Sequence, residues 1–327
     1  MSGIILLIVV LAVVFDYSNG FHDTANAIAT TVSTRALSPR RAVVLAGALN
    51  FIGALVFTGV AKTIGGNIAD PFTLQHGMVI VLAALIAAIV WNLLTWYFGI
   101  PSSSSHALIG GLSGAVVGAA GFRALHWMGF LSIIEALVLS PIAAILVGYI
   151  LMTLLKWGFG STSPHKANRV FRTLQIFSAA FQAFSHGTND AQKTMGIITF
   201  ALVAGGFQSE LEVPLWVKVL SAFAMAAGTA SGGWRIIKTV GSKIIKLEPI
   251  NGFASDLTSA TVILTATLCK QPVSTTHVIS SAIMGTGAAK RFRQVNWGMA
   301  IRIVIAWLIT IPATGALAAL LARILIL

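Results

Sequence analysis

Long apolar stretches separated by short polar connections run through the whole chain. The run 79–90 continues directly into 91–100, and this run and the run 131–155 each exceed the length of about 20 residues that a helix needs to cross a bilayer. Apolar residues make up 57% of the sequence and charged residues only 9%, against about 25% charged in a typical soluble domain. The pattern predicts an all-α polytopic membrane protein with about 10–12 membrane segments.

Most of the 21 Lys and Arg residues are gathered in four connections between apolar runs. Basic short loops stay on the cytoplasmic side of a membrane, so the net charge of +12 reports orientation, and we expect no nucleic-acid partner. The intervening connections carry Asp70, Glu210 and Glu212 instead. The basic clusters are Arg35, Arg40 and Arg41; Lys156, Lys166, Arg169 and Arg172; Arg235, Lys238, Lys243 and Lys246; and Lys290, Arg291 and Arg293.

Two polar boxes interrupt the apolar pattern, and each occurs twice. The box SNGFHDTAN at 18–26 is echoed by SHGTNDAQK at 185–193, so that aspartates 167 residues apart correspond. The box PSSSSH at 101–106 is echoed by PVSTTH at 272–277, 171 residues later. The same order at nearly the same offset predicts a duplicated unit.

The charge pattern gives the two copies opposite directions across the membrane. The segment 3–34 ends at a basic cluster, whereas its counterpart 171–207 begins at one. We therefore predict two inverted repeats, 1–157 and 171–327, joined by a cytoplasmic linker at 158–170, with both termini on the outer face of the plasma membrane. Such repeats are typical of secondary transporters, which bind substrate at the repeat interface near the midplane. The segment around each Pro-Ser-Thr box, that is PSSSSH at 101–106 or PVSTTH at 272–277, is compatible with two full spans or with a re-entrant hairpin.

The first pair of boxes has the composition of a hard-cation site. Gly20 and Gly187 weaken a helix, so we expect breaks there that expose backbone carbonyls to a cavity. Carboxylate, amide and carbonyl oxygens suit Na⁺ better than a transition metal; simple interhelical hydrogen bonding is the alternative. The predicted Na⁺ ligands are Asp23, Asn26, Asp190 and, more remote in sequence, Asp256, with Gln192 as a further amide. We interpret Lys193 as either an anion attractor or a partner of Asp190.

The second pair of boxes predicts two helix starts. Pro101 and Pro272 suit a first helical turn, where a missing N–H costs nothing. Hydroxyls and free N–H groups at the positive end of a helix form a site for phosphate or sulfate, and ordinary N-capping explains only one hydroxyl per box. We expect His106 and His277 to fix the turns. The predicted phosphate-binding residues are Ser103, Ser104, Ser105, Ser274, Thr275 and Thr276, with Thr24 and Gln192 from the first boxes.

The boxes resemble the motifs of a known family. GFHDTANA at 20–27 is similar to the GANDVANA motif of the inorganic phosphate transporter (PiT) family, and GTNDAQKT at 187–194 is similar to its second copy. PVSTTH at 272–277 is similar to the P-x-S-T-T-H element of the same family. The resemblance implies transport of inorganic phosphate coupled to Na⁺ or H⁺, and it favours Asp256 as a cation ligand. His22 departs from the asparagine of the first motif, which bears on the identity of the coupling ion.

We therefore predict a secondary active transporter that imports inorganic phosphate by symport with Na⁺ through alternating access, with no cofactor. The expected partners are phosphate, Na⁺ and the lipid membrane, and a homodimer is compatible with the sequence. The alternatives are H⁺ coupling, sulfate or a metal–phosphate complex as cargo, and an ion channel with a hydroxyl-lined filter. An enzyme is disfavoured because His22, His106, His186 and His277 show no nucleophile–base spacing or metal motif.

Overall fold

The computed structural model of the protein describes residues 3–327, and this part of the chain is helical without any strand. The first half contains the helices α1 (Gly3–Ser33), α2 (Pro39–Val56), α3 (Gly59–Asn67), α4 (Gly77–Phe98), α5 (Ser104–Ala120) and α6 (Trp127–Phe159). The second half contains α7 (Pro164–Ala204), α8 (Leu215–Ser231), α9 (Trp234–Ser242), α10 (Pro249–Leu268), α11 (Thr275–Arg291) and α12 (Trp297–Ile326). The predicted all-α class is confirmed.

The two halves pack as equivalent units. Helix α1 packs against α8 as α7 packs against α2, and α5 packs against α12 as α11 packs against α6. The equivalent helices α1 and α7 also cross one another in opposite directions, because Asp16 faces Thr194 while Asn26 accepts a hydrogen bond from Gln182. Exchanging the halves therefore leaves the packing unchanged, and the fold is a pair of inverted repeats.

Only some of the helices are long and apolar enough to cross a membrane by themselves. Five described helices qualify, namely α1, α2, α4, α6 and α12, while α8 and α9 qualify jointly as a span bent by 71°. Helix α7 has 41 residues but carries a polar box at its centre, where other helices cover it. Between α6 and α7 only 160–163 are outside helices, so most of the linker predicted at 158–170 is helical.

The Pro-Ser-Thr boxes start two half-length helices inside the protein. Helices α5 and α11 each have 17 residues, which is about 26 Å and shorter than the hydrocarbon core. Their first residues are buried, and the rings of His106 and His277 lie 4.3 Å apart between centroids. The two helices thus begin next to each other and run apart. In each unit a longer helix, α4 or α10, is followed by a half-length helix with a buried start, α5 or α11.

The breaks predicted at Gly20 and Gly187 are wrong, because α1 and α7 are continuous through both positions. A Cβ at Gly20 would lie 2.5 Å from the carbonyl oxygen of Met225, and one at Gly187 would lie 2.2 Å from that of Asn50. The glycines allow neighbouring backbones to approach closely, as small residues commonly do between membrane helices. The actual interruptions separate α2 from α3 and α8 from α9.

We predict that Gly228→Ala destabilises the protein by about 1–3 kcal/mol through overpacking, because its Cβ would lie 2.2 Å from the carbonyl oxygen of Tyr17. Gly47→Ala is the matched control on the α2 side of the same bundle, where the nearest atom is 3.4 Å away. The control is expected to be neutral or to gain up to about 1 kcal/mol from helix propensity. Thermal unfolding of the purified variants in detergent measures both. Equal unfolding temperatures for the two variants would contradict the close crossing.

Candidate functional site

The repeated boxes meet where α1 crosses α7 and where α5 and α11 begin. Asp23, His186 and Asp190 each place one potential ligand atom within 4.8 Å of the others. All three are buried, with at most 1% of their surface exposed. At that separation two carboxylate charges repel each other by about 3 kcal/mol at an effective dielectric constant of about 20, so the cluster requires compensating positive charge.

The first half-site, formed by Asp23, Asn26, Ser104 and Thr276, is rich in oxygen. Asp23 accepts hydrogen bonds from the hydroxyls of Ser104 at 3.1 Å and Thr276 at 3.2 Å. Asn26 donates its amide N–H to Thr276 at 2.9 Å, and its side-chain oxygen has no hydrogen-bond partner among the described residues. Carboxylate, hydroxyl and amide oxygens therefore converge in this half-site, and no ammonium group contacts them. Such a set of oxygen ligands is what a hard cation prefers.

The second half-site, formed by Asp190, Lys193, Ser105 and Thr275, is its two-fold counterpart. Asp190 accepts a hydrogen bond from Thr275 at 2.9 Å, as Asp23 does from Ser104. Lys193 occupies the position that Asn26 has in the first half-site, and its ammonium contacts the Asp190 carboxylate. The same ammonium donates to the hydroxyl of Ser105 at 2.5 Å and to the carbonyl oxygen of Val273 at 2.9 Å.

Lys193 thus supplies a positive charge inside the protein. Its side chain is entirely buried, and each of its three contacts is to an oxygen. Of the two interpretations of Lys193 made from the sequence, the structure shows the pairing with Asp190, and the ammonium also reaches the hydroxyl of Ser105 at the start of α5. The two half-sites are equivalent in backbone position and different in charge.

Two histidines flank the carboxylates. The Nδ1 atom of His22 lies 2.6 Å from Asp23, and its Nε2 atom lies 3.2 Å from the hydroxyl of Thr95. The Nε2 atom of His186 lies 3.1 Å from Asp190 without hydrogen-bond geometry. His186 is not among the predicted site residues, although its position one helical turn before Asp190 places it on the same face of α7.

The helix starts differ in one respect from the prediction. Pro101 and Pro272 precede the helices instead of occupying their first turns, and Ser103 and Ser274 are the N-cap residues. The Ser103 hydroxyl accepts from the backbone N–H of His106, and Ser274 accepts in the same way in α11. Ordinary capping accounts for these two hydroxyls. The hydroxyls that face the carboxylates are those of Ser104, Thr275 and Thr276, while the hydroxyl of Ser105 contacts Lys193.

Three other predicted residues lie away from the helix starts. Gln192 caps α3, because its side-chain oxygen accepts from the N–H groups of Val60 at 2.8 Å and Ala61 at 3.2 Å. Thr24 donates to the carbonyl oxygen of Gly20 at 2.7 Å, within its own helix. Asp256 of α10 accepts a hydrogen bond at 2.6 Å from Thr30, which lies two helical turns along α1 from Asp23. In this structure Gln192 and Thr24 thus bond to backbone groups, and Asp256 belongs to a separate polar cluster.

Two cavities approach the site from equivalent positions in the two repeats. One, of about 510 Å³, is lined by Thr95, Lys243 and Arg302. The other, of about 560 Å³, is lined by Thr267 together with residues that include Lys62 and Lys270. Thr95 contacts His22, and Thr267 accepts a hydrogen bond from Asn189, which is the counterpart of His22. The two cavities are thus lined by corresponding helices of the two repeats, and both carry basic residues.

Comparison with known proteins adds independent information. A profile of the phosphate transporter family matches residues 19–318. A probable low-affinity inorganic phosphate transporter of Bacillus subtilis is 56% identical over 316 residues, covering 96% of this chain and 95% of that protein. A protein of the same description from Rhizobium meliloti is 47% identical, covering 96% of this chain and 94% of its own length. A solved structure described as the sodium-dependent phosphate transporter is 27% identical, with a TM-score of 0.92 and 98% of both chains covered.

We predict that Lys193→Met destabilises the protein by about 3–5 kcal/mol, because it leaves the buried Asp190 carboxylate without its ion-pair partner. The double variant Lys193→Met, Asp190→Asn removes both charges and is expected to recover most of that loss. Thermal unfolding of the wild type, both single variants and the double variant forms a double-mutant cycle. Additive losses in the double variant would show that the two side chains are not coupled.

Proposed function

Because the chain belongs to the phosphate transporter family, we propose that it imports inorganic phosphate by symport with Na⁺ through alternating access. Members of this family are multi-pass membrane transporters rather than enzymes. The observation that carries the proposal is the meeting of two hydroxylated helix starts over a pair of buried carboxylates. A tetrahedral anion and its co-transported cation would both find ligands there.

Phosphate is assigned to the space between the starts of α5 and α11. Each start offers unpaired backbone N–H groups and the positive end of a helix dipole, which together favour anions. The hydroxyls of Ser104, Ser105, Thr275 and Thr276 add donors from both repeats, and the ammonium of Lys193 contacts the hydroxyl of Ser105. Opposed helices would thus hold one anion from two sides, and neither repeat would form the site alone.

The cation is assigned to the first half-site. The ammonium of Lys193 is paired with Asp190. Asp23 is not in contact with any lysine and is therefore the carboxylate that needs a cation. Asp23 and Asn26, with neighbouring hydroxyl oxygens, are suitable ligands for Na⁺. The structural relative of 27% identity is described as sodium-dependent, which supports Na⁺ as the ion. Asp256 is proposed as an outlying cation ligand near the inner end of α1.

Charge explains why the two substrates would bind together. Without a cation, Asp23 repels phosphate, which carries about one to two negative charges at neutral pH. A bound Na⁺ removes that repulsion and adds attraction, so each ligand raises the affinity for the other by the same factor. This reciprocity is the physical basis of symport.

Alternating access has support from the enclosure of the site. Asp23, Asp190 and the first residues of α5 and α11 are all buried, so the site is closed on both sides. The two cavities are lined by corresponding helices of the two repeats, and each would become the open path in one state. The proposed moving units are the repeats 1–157 and 171–327, which would rock about the crossing of α1 and α7.

H⁺ coupling is the second candidate, and one observation favours it. His22 replaces an asparagine of the family motif and lies 2.6 Å from Asp23. A histidine in that position offers a ring nitrogen next to the carboxylate as a proton acceptor.

Uptake of phosphate into proteoliposomes tests the proposal. We expect an inward Na⁺ gradient to accelerate wild-type uptake, and Asp23→Asn to abolish it by removing the cation ligand. Asp70→Asn is the matched control, because it replaces an aspartate by asparagine in the same way but in a turn far from the site. Uptake that follows a pH gradient and ignores Na⁺ would reject Na⁺ coupling and leave H⁺. Competition by excess sulfate, or a dependence on divalent cations, would point to the other cargoes.

The native cysteine provides a test of orientation. Cys269 is the only cysteine of the sequence, it is exposed, and it follows α10 at the face assigned to the outside. We expect a membrane-impermeant maleimide to label it in intact cells. The control is Ser161→Cys in a Cys269→Ser background, which lies between α6 and α7 on the face assigned to the cytoplasm and should react only after permeabilisation. The reverse labelling pattern would invert the proposed topology.

A further inference from the structure

Asp16 is a buried acid that the central site does not use. It lies on α1 seven residues before Asp23, which corresponds to about 10 Å along the helix axis. Its side chain is fully buried, and neither carboxylate oxygen has a hydrogen-bond partner among residues 3–327. Transfer of an isolated carboxylate out of water is very unfavourable unless a counter-ion or a proton neutralises it. The carboxylate therefore requires a ligand that the side chains around it do not provide.

Two further polar side chains without partners accompany it. Asn19 lies one turn farther along α1 on the same face, as residues three apart do, and neither its amide oxygen nor its amide nitrogen is hydrogen-bonded. Thr194 of α7 faces Asp16 closely enough to interact with its carboxylate, but its hydroxyl makes no hydrogen bond of good geometry within the described structure. All three side chains are completely buried. Unpaired polar groups of this kind are rare in a protein interior, and here they are adjacent.

The charged neighbours do not resolve the deficit. Asp190 and Lys193 are the charged groups of α7 that act on Asp16, and the ammonium of Lys193 is already bonded to Asp190, Ser105 and Val273. The neighbouring helix α4 contains no acidic or basic side chain, and in α8 the one charged residue, Lys218, is not buried. The neighbouring side chains therefore do not neutralise Asp16, and either a bound cation or a proton must do so.

We propose that Asp16, Asn19 and Thr194 form a second Na⁺ site on the outer side of the central site. The two carboxylate oxygens, the amide oxygen and the hydroxyl are four hard oxygen donors, which suit a hard cation. Along α1 the site mirrors the Asp256 cluster, because Asp16 and Thr30 each lie seven residues from Asp23. Acids would then be spaced along the α1–α7 seam from the outer half to the inner half. The transport role of the site rests on the proposed function, whereas its occupation by Na⁺ does not.

Binding of ²²Na⁺ to the purified protein in the absence of phosphate tests the site. We expect Asp16→Asn to bind one Na⁺ fewer per chain than the wild type. Thr194→Val removes one oxygen donor without changing the shape of the side chain and is expected to weaken Na⁺ binding about tenfold. Thr199→Val is the matched control, because Thr199 is buried in the same helix and its hydroxyl bonds only to the Met195 carbonyl oxygen of that helix.

The outcomes separate this site from the proposed function. Unchanged Na⁺ stoichiometry and affinity in both Asp16→Asn and Thr194→Val would overturn the site, since the carboxylate would then be neutralised by a proton. If Asp16→Asn does not fold, Thr194→Val alone gives the answer. Loss of Na⁺ binding in these variants, together with wild-type uptake that ignores a Na⁺ gradient, would retain the site and reject Na⁺ symport.

Discussion

The central constraint on this fold is that two aspartates meet in the protein interior where no water can screen them. The crossing of α1 and α7 brings Asp23 and Asp190 together, and Gly20 and Gly187, one turn before them, let the neighbouring helices α8 and α2 approach closely at the same level. Every other feature of the site compensates these charges, through hydroxyl donors at two helix starts, histidines and one ammonium group. Small residues thus position the acids, and the polar groups make their burial tolerable.

Duplication explains the geometry but not the chemistry. The backbone positions of the two half-sites correspond, yet Asn26 on α1 is matched by Lys193 on α7. An amide oxygen can coordinate a cation that binds and dissociates, whereas the ammonium of a lysine is a permanent part of the protein. A site that kept two amides would require an external cation in each half. Under the proposed symport, Lys193 would reduce the number of mobile cations in the central site and with it the charge moved with each phosphate.

Much of the architecture could be predicted from local patterns, and the exceptions share one cause. Repeats, helical class and the starts of α5 and α11 depend on periodicity, loop charge and the chemistry of a single turn, all of which are visible in the sequence. The role of Gln192 depends on α3, more than 130 residues away, whose first N–H groups it caps. The prediction of helix breaks at Gly20 and Gly187 was wrong because these glycines instead make room for Met225 and Asn50, which belong to the other repeat. Contacts between distant segments are what the sequence alone does not reveal.

The two half-length helices connect these points. A full membrane helix would place its N-terminus at the bilayer surface, where water screens the dipole, whereas α5 and α11 begin at buried residues next to each other. Two positive helix ends and the Lys193 ammonium then face two carboxylates at close range. The helix ends and the ammonium attract an anion, whereas Asp23 repels it through the same electrostatic interaction. In the proposed mechanism, one cation at Asp23 would cancel that repulsion. Under the proposed symport, such a site would bind its anion only together with a cation, and this dependence is what distinguishes a coupled carrier from a channel.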